Sequence, residues 1–575
     1  MILQALTRHY EDLLALGKIS RPGWGQAKVS FGLELSGDGS ILGLLPLQTE
    51  QTRGKKKVLA PRIMEVPMPV KRTVGVDPNF LCDNSGYLLG ADDKGKPKRT
   101  AECYQKSKAL HLELLSKASS PAARAVAAFF ESFDPAGAAS HPVLSEKWGE
   151  LMEGGNLIFW YRDAPVFDDP EVRGIWQAYY DKRGSGDTIR CLVTGEKTTP
   201  EEIHPSIKGV KGAQSSGAAL VSFNAPAFWS YGREYGANAP VGSYAAFAYT
   251  TALNHLLSDR EHVQHIGDAT VVCWAEGGED AYQDLGLAAL YGDTLTEQDI
   301  QAALARLARG EPVEWGDATL SPDTRFYVLG LSPNAARISV RFFWQNSFGV
   351  LARNVQKHYE RLRIVRPSFD KNENLPLWIL LRETVNKNAR DSSPSPQMSG
   401  EVLRAVLTNG CYPATLLSAV TMRIRAEHEI TRGRAAILKA YYLRNQNEKV
   451  PKEVLTVELN KGSDYLPYVL GELFSVLEDI QESANPNINA TIKDKYFNSA
   501  CSTPAIVFPF LINLAQKHLR KLEKGKQIYL NKQILELTEK ITRDYPAQMT
   551  LPEQGAFQIG YYHQTQRRYT KKEEK

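Results

Sequence analysis

The sequence predicts an α+β protein, with a large mixed N-terminal region followed by a C-terminal helical bundle. Short runs of alternating apolar residues occur before residue 350, and apolar residues recur at helical spacing beyond residue 400. A polar, proline-bearing stretch separates the two patterns. At 575 residues the chain also exceeds what one hydrophobic core usually supports, so two or more domains are expected.

Leu3, Leu6, Tyr10, Leu13 and Leu14 recur at helical spacing, so residues 1–16 read as an amphipathic helix closed by Gly17 and the Pro22-Gly23 turn. Residues 28–35 and 41–47 read as strands joined by Ser36-Gly37-Asp38-Gly39. Arg53, Lys55, Lys56 and Lys57 follow as a basic loop, either solvated or functional. Helices and strands mix between residues 120 and 310, where Thr296 and Asp299 form a capping-box pattern and Gly310 supplies the stop. Residues 324–329 and 337–343 read as strands around a turn at Ser332-Pro333-Asn334. Residues 386–399, with Pro394 and Pro396, read as a linker and the main boundary. Beyond it, Leu466, Val469, Leu470, Leu473, Phe474, Leu477 and Ile480 trace one helix face, and Ile534, Leu537 and Ile541 another. The expected organisation is therefore 1–120 and 121–385 as α+β regions, 386–399 as linker and 400–575 as helical bundle.

Hydrophobic residues make up 43% of the chain and charged residues 23%, which is the composition of a folded protein and excludes wholesale disorder. The first residues carry no positive run ahead of a long apolar stretch, and no stretch of about 18 apolar residues occurs, so a cytoplasmic protein without a membrane segment is expected. Six scattered cysteines without a C-x-x-C pair fit neither a disulfide framework nor a zinc ribbon. The net charge of +4 is nearly neutral for this length, so any nucleic-acid contact must come from local basic patches.

No phosphate-binding loop, G-x-S-x-G elbow or dinucleotide fingerprint is present. His255, His262 and His265 with Asp268 form the one histidine cluster. His262 and His265 can share a helix face, but the partner motifs of a metal site are missing. No catalytic residue, metal or cofactor is expected.

Three basic features stand out. Alternation places Arg337, Ser339 and Arg341 on one strand face and Ile338, Val340 and Phe342 on the other. Leu351, Val355, Tyr359 and Leu362 form a core stripe while Arg353, Lys357 and Arg361 repeat at i, i+4 and i+8, a line able to track phosphates or simply a solvated face. In residues 203–218, Lys208 and Lys211 lie among glycines beside Gln214, Ser215 and Ser216, so backbone and side chains can approach a phosphate closely. An ordinary exposed loop has the same composition.

The opening MILQAL resembles the subtype I-C CRISPR Cascade large-subunit family. So do KRTVGVDPNFLCDNSGYLLG at 71–90, CLVTGEKTTPEEIHPSIKGVKGAQSSGAALVSFNAPAFWSYG at 191–232, NAPVGSYAAFAYTTALNHLL at 238–257 and IGDATVVCWAE at 266–276. LGLSPNAARISVRFFW at 329–344 and GYYHQTQ at 560–566 extend the likeness nearly to the C-terminus. The resemblance implies a non-catalytic subunit of an RNA-guided antiviral surveillance complex that recognises the protospacer-adjacent motif in duplex DNA. It also implies that the subunit stabilises the R-loop and helps recruit a helicase-nuclease. The implied partners are crRNA-bearing backbone and 5′-handle subunits, target double-stranded DNA, the helicase-nuclease, and small subunits made from an internal start of the same gene. Met398 and Met422 are candidates for that start, and the C-terminal bundle is expected to resemble such a small subunit.

Within the family-like segment 71–90, Asn79, Asn84 and Tyr87 are the candidates for motif reading, because amides hydrogen-bond to base edges and a ring can wedge into a stack. Lys71 and Arg72 would anchor adjacent phosphates. The same asparagines can instead organise turns after Pro78 and Asp83. Two other readings stay open at this point, a metal-dependent nuclease and a purely architectural subunit of the same complex.

Overall fold

The computed structural model describes residues 1–53, 56–70, 72, 75–182, 188–292, 297–370, 372–390, 392–445 and 448–569. Helices and strands mix in the N-terminal region and helices dominate the C-terminal one, as the hydrophobic periodicity predicts. The chain forms two compact units, residues 1–205 with 221–253, and residues 206–220 with 254–575.

The first unit opens on α1 (Ile2–Ala15), whose Tyr10 is fully buried edge-on to Phe247 of a helix at Ser243–Ser258. The long strand β1 (Trp24–Leu35) organises a mixed sheet with β2 (Ile41–Pro46), β3 (Gln48–Arg53), β4 (Lys56–Pro67), β5 (Cys82–Asp83), β6 (Asn156–Tyr161) and β7 (Ala164–Pro165). The first half of β1 pairs antiparallel with β4 and its second half with β2, while β6 runs parallel along its other edge. Arg53 and Lys56 face each other across β3 and β4, so the expected basic loop is largely paired strand; Lys55 lies outside the described residues.

Three helices cover this sheet: α2 (Pro97–Leu115), α3 (Pro121–Ser132) and α4 (Pro170–Asp181). Ser120 and Asp169 cap the last two, each followed by a proline whose missing N–H costs nothing in the first turn. The core is aromatic: Phe80 stacks on Trp176 at 5.3 Å, and His111 stacks on Phe130 at 4.6 Å.

In the second unit, β8 (Gln264–Ile266), β9 (Ala269–Ala275), β10 (Arg325–Asn334) and β11 (Arg337–Ser347) form an antiparallel sheet in that order. Strand β10 continues through Pro333, so the hairpin turn is Ala335-Ala336 rather than Ser332-Pro333-Asn334. The expected alternation along β11 fails at Arg341. Leu331 pairs with Val340 and Gly330 with Phe342, which leaves Arg341 as an unpaired bulge residue and reverses the faces beyond it. The Phe342 ring lies over Gly330, where a Cβ would meet it at 2.3 Å, and this packing fixes the slip.

The longer helices of this unit are α5 (Ala281–Tyr291), α6 (Glu297–Ala308), α7 (Phe348–Leu362), α8 (Pro396–Thr408), α9 (Ala414–Glu427), α10 (Arg432–Arg444), α11 (Leu466–Ala484), α12 (Ile492–Ser502), α13 (Pro504–Leu519), α14 (Lys524–Glu539) and α15 (Leu551–Tyr569), with a short helix at Leu377–Arg382 between α7 and α8. Thr296, the expected cap of α6, lies outside the described residues, while Gly310 takes a φ of 87° just beyond its end. Residues 386–399 contain the start of α8, and Met398 is buried in a core that also holds Leu351, Val355 and Phe474.

All seven predicted core residues of α11 are buried, and α11 lies centrally against α15. A Cβ on Gly471 would fall 2.0 Å from the Phe557 carbonyl, and one on Gly560 would fall 2.2 Å from that of Tyr468, so glycine alone permits this backbone approach. The GYYHQTQ motif supplies the surrounding bonds. Tyr561 donates to Glu478 at 2.6 Å, Tyr562 to the Val365 carbonyl at 2.7 Å, and His563 pairs with the Tyr468 hydroxyl at 2.9 Å.

Candidate nucleic-acid interface

The described part of residues 68–90 is held on the first unit by Asp83, which is almost fully buried. Its carboxylate accepts from the backbone N–H of Asn79 at 2.9 Å and of Asn84 at 2.8 Å, and it receives both terminal nitrogens of Arg72. Such bidentate pairing is among the stronger hydrogen-bond arrangements. Arg72 also lies 3.9 Å above the Tyr87 ring, and Nε2 of His111 accepts from Leu81 N–H at 2.9 Å. Burial pulls the His111 imidazolium down to about 4, so the ring is neutral and Nε2 can accept.

This frame occupies most of the sequence-predicted motif readers. Asn79 is buried and its Oδ1 accepts from Val70 N–H at 2.8 Å. Tyr87 is buried beside Val76 and Cys103. Asn84 caps the single turn Ser85–Leu88 through Gly86 N–H, and its side chain is half-buried with the amide nitrogen unpaired among the described residues. Lys71 lies outside the described residues.

In the second unit, two segments that are distant in sequence come together. Residues 206–220 are anchored by buried Ile207, Val210 and Ala218. Lys208 N–H donates to Asn254 Oδ1 at 2.8 Å and Lys211 N–H to Thr270 Oγ1 at 3.0 Å. Ala219 pairs with β11, donating to the Ala336 carbonyl at 3.1 Å and accepting from Ile338 N–H at 3.0 Å. The backbone is thereby fixed while the side chains of Lys208, Lys211 and Gln214 remain in solvent. Arg337 starts the neighbouring strand and Arg341 projects from the bulge, with an exposed ion pair to Asp268 at 2.6 Å. Exposed pairs of this kind stabilise by only about 0–1 kcal/mol, so the guanidinium can exchange its carboxylate for a phosphate.

Helix α7 presents Arg353 and Lys357 to solvent above a buried stripe of Leu351, Val355, Tyr359 and Leu362. Arg361 is bonded to Asn409 instead, so two of the three cations, Arg353 and Lys357, are unengaged among the described residues.

The histidines do not share a helix face. His262 lies in a turn with its ring nitrogens 2.6 Å from Asp259 and from Asp284, and His265 is in β8. Burial lowers the His262 pKa, but the two carboxylates outweigh it and hold the ring above its usual range. Among the described residues no group of three His, Cys, Asp or Glu side chains is arranged to hold a metal, and no helix is long and apolar enough to cross a membrane.

Tyr231 was not singled out by the sequence reading. It sits fully exposed with a φ of 54° in a tight turn at residues 230–233. Asn238 clamps the turn, accepting from Ser230 N–H at 2.8 Å and donating to the Arg233 and Tyr235 carbonyls. The aromatic run ending in Tyr231-Gly232 is the signal that points to it, since a ring beside a turn glycine marks a displayed tip.

No curated protein matches the chain. The family described as CRISPR-associated protein (Cas_Csd1) matches residues 6–569, nearly the whole length and both compact units. The chain therefore belongs to the CRISPR-associated Csd1 family, the large subunits of type I-C systems.

Proposed function

We propose that this large subunit recognises the protospacer-adjacent motif in duplex DNA, stabilises the R-loop and helps recruit the helicase-nuclease, without itself cleaving. The carrying observation is the surface formed by residues 206–220 and β11, which displays Lys208, Lys211, Gln214 and Arg341 on a backbone held by hydrogen bonds. Cations displayed from a fixed backbone suit phosphates, while base pairing with the guide reads the sequence. Asn84 is the remaining motif reader, with Asn79, Tyr87 and Arg72 as its frame. Tyr231 offers a ring for stacking on unpaired bases.

The test is binding by the assembled complex. Replacing Lys208, Lys211 and Arg341 by alanine should flatten the slope of log affinity against log salt by roughly one per contact. Asn84→Ala should weaken binding to duplex carrying the motif more than binding to bubble DNA. An unchanged salt slope would reject the phosphate contacts, and equal losses on both DNAs would reject motif reading by Asn84.

A further inference from the structure

Oδ1 of Asn84 and Oδ2 of Asp92 each lie 3.2 Å from the point that a Cβ on Gly86 would occupy, so the missing side chain at Gly86 lets the amide and the carboxylate stand side by side. Oδ1 of Asp92 is used locally, accepting from Lys94 N–H at 3.2 Å, while Oδ2 has no hydrogen-bond partner among the described residues. Asp92 is half-buried and lines an open hollow of about 350 Å³ with Lys96, Thr100, Tyr104 and Gln105. In the stretch 92–99, Lys94, Lys96, Lys98 and Arg99 are exposed cations, and Asp93 is the one other acid. Arg99 donates to the Gly75 carbonyl at 2.9 Å, which ties this cationic stretch to the described part of residues 68–90.

A carboxylate on a surface that meets DNA repels phosphates and attracts donors. The donors on base edges are exocyclic amines, N6 of adenine and N4 of cytosine in the major groove and N2 of guanine in the minor groove. Each stands beside an acceptor of the same base pair, as N6 does beside O4 of thymine. Asn84 and Asp92 carry the complement of that pattern, because the free amide nitrogen donates and Oδ2 accepts. We propose that Asp92 is a second motif reader, which accepts from an exocyclic amine of the motif while Asn84 donates to the acceptor beside it. Lys94, Lys96 and Lys98 then meet the flanking phosphates and offset the repulsion that the carboxylate brings. This inference rests on the motif reading proposed for Asn84 and adds the residue that selects the amine-bearing base.

Binding of the assembled complex to duplexes whose motif amines are removed one at a time tests it, with purine in place of adenine, 2-pyrimidinone in place of cytosine and hypoxanthine in place of guanine. One of these removals should weaken the wild type roughly tenfold, and its identity assigns the base and the groove. The same removal should cost Asp92→Ala less than about twofold, and comparing the two proteins cancels the effect of the analogue on the duplex itself. Asp92→Asn keeps an oxygen for Lys94 N–H, so the same insensitivity in this variant sets aside loss of the turn as the cause. Both variants should bind motif-free duplex at least as tightly as the wild type, because a charge that repels phosphates is gone. No amine effect in the wild type, an amine effect of equal size in both variants, or equal weakening on every duplex would overturn the proposal. Asn84→Ala separates this failure from failure of the underlying reading. If it abolishes motif discrimination while the Asp92 variants retain it, Asp92 falls and Asn84 stands; if all three variants retain discrimination, both fall.

Discussion

Tyr231 holds a left-handed backbone with its ring fully in solvent. For a bulky L-residue that conformation costs about 1–2 kcal/mol, and no packing of the ring offsets it. Tyr231→Gly should therefore raise the denaturation midpoint, by an amount equivalent to roughly 1 kcal/mol, while weakening binding to single-stranded DNA. A variant that gains stability and keeps full affinity would reduce Tyr231 to an unexplained strain. The 71–90 segment shows the limit of reading single residues from sequence. Asn79 and Asn84 were legible as either base readers or turn organisers, and the structure commits Oδ1 of both to backbone N–H groups. What decides this is Asp83 together with His111, whose contact with Leu81, thirty positions before it, depends on burial that no local pattern encodes.

Helix α7 was more legible. Its apolar period predicts the buried stripe, and Leu351, Val355, Tyr359 and Leu362 are all buried. Asn354 and His358 also face inward, bonded to the Leu407 carbonyl and the Tyr412 hydroxyl at 2.7 Å each, and a hydropathy pattern cannot register polar residues whose partners lie some fifty positions ahead. The outer face separates in the same way. Arg353 and Lys357 are solvated, while Arg361 is bonded to Asn409 at the left-handed C-cap of α8. Replacing Arg353 and Lys357 together by alanine should leave stability within about 0.5 kcal/mol and reduce the salt dependence of DNA binding. Arg361→Ala should instead cost about 1–3 kcal/mol, because Asn409 and the end of α8 lose a charged donor. Urea unfolding and salt titration of both variants check this, and a reversed assignment of the two effects would refute it. Strand β11 was legible only as far as Ser339, because Val340 of the expected apolar face is exposed and the bulge at Arg341 is set by the Phe342 ring meeting Gly330 across the hairpin.

At the scale of the whole molecule, the core of the second unit runs from the sheet strands to α15 without a break at residues 386–399. This bears on any shorter copy begun at Met398 or Met422, because α10 buries two cations, Arg432 and Lys439, whose acceptors lie upstream of both starts, and a third, Arg434, that loses one of its two carboxylates. Arg432 donates to Asp370 at 2.8 Å and to the Asn372 carbonyl at 2.6 Å. Arg434, 1% exposed, pairs with Glu383 as well as Glu427, and Lys439 donates to the Arg361 carbonyl at 3.0 Å. Burial already brings Lys439 down to about 8 with that acceptor present. A chain starting at residue 398 removes Asp370, Asn372, Glu383 and Arg361 together, and stranding a buried charge costs on the order of 3–5 kcal/mol against a typical domain stability of roughly 5–15 kcal/mol. Such a segment must either open α10 to water or lose cooperative folding. The combined change Arg432→Met, Arg434→Met and Lys439→Met should consequently act with opposite sign in the two contexts. In the 398–575 segment it removes stranded charges and should raise the unfolding midpoint and sharpen the transition. In the full chain it takes Arg432 from Asp370, leaves Glu383 with Lys387 alone, and should lower the midpoint. Thermal unfolding of the four proteins measures both effects, and a shift of the same sign in each would show that the upstream acceptors do not stabilise α10.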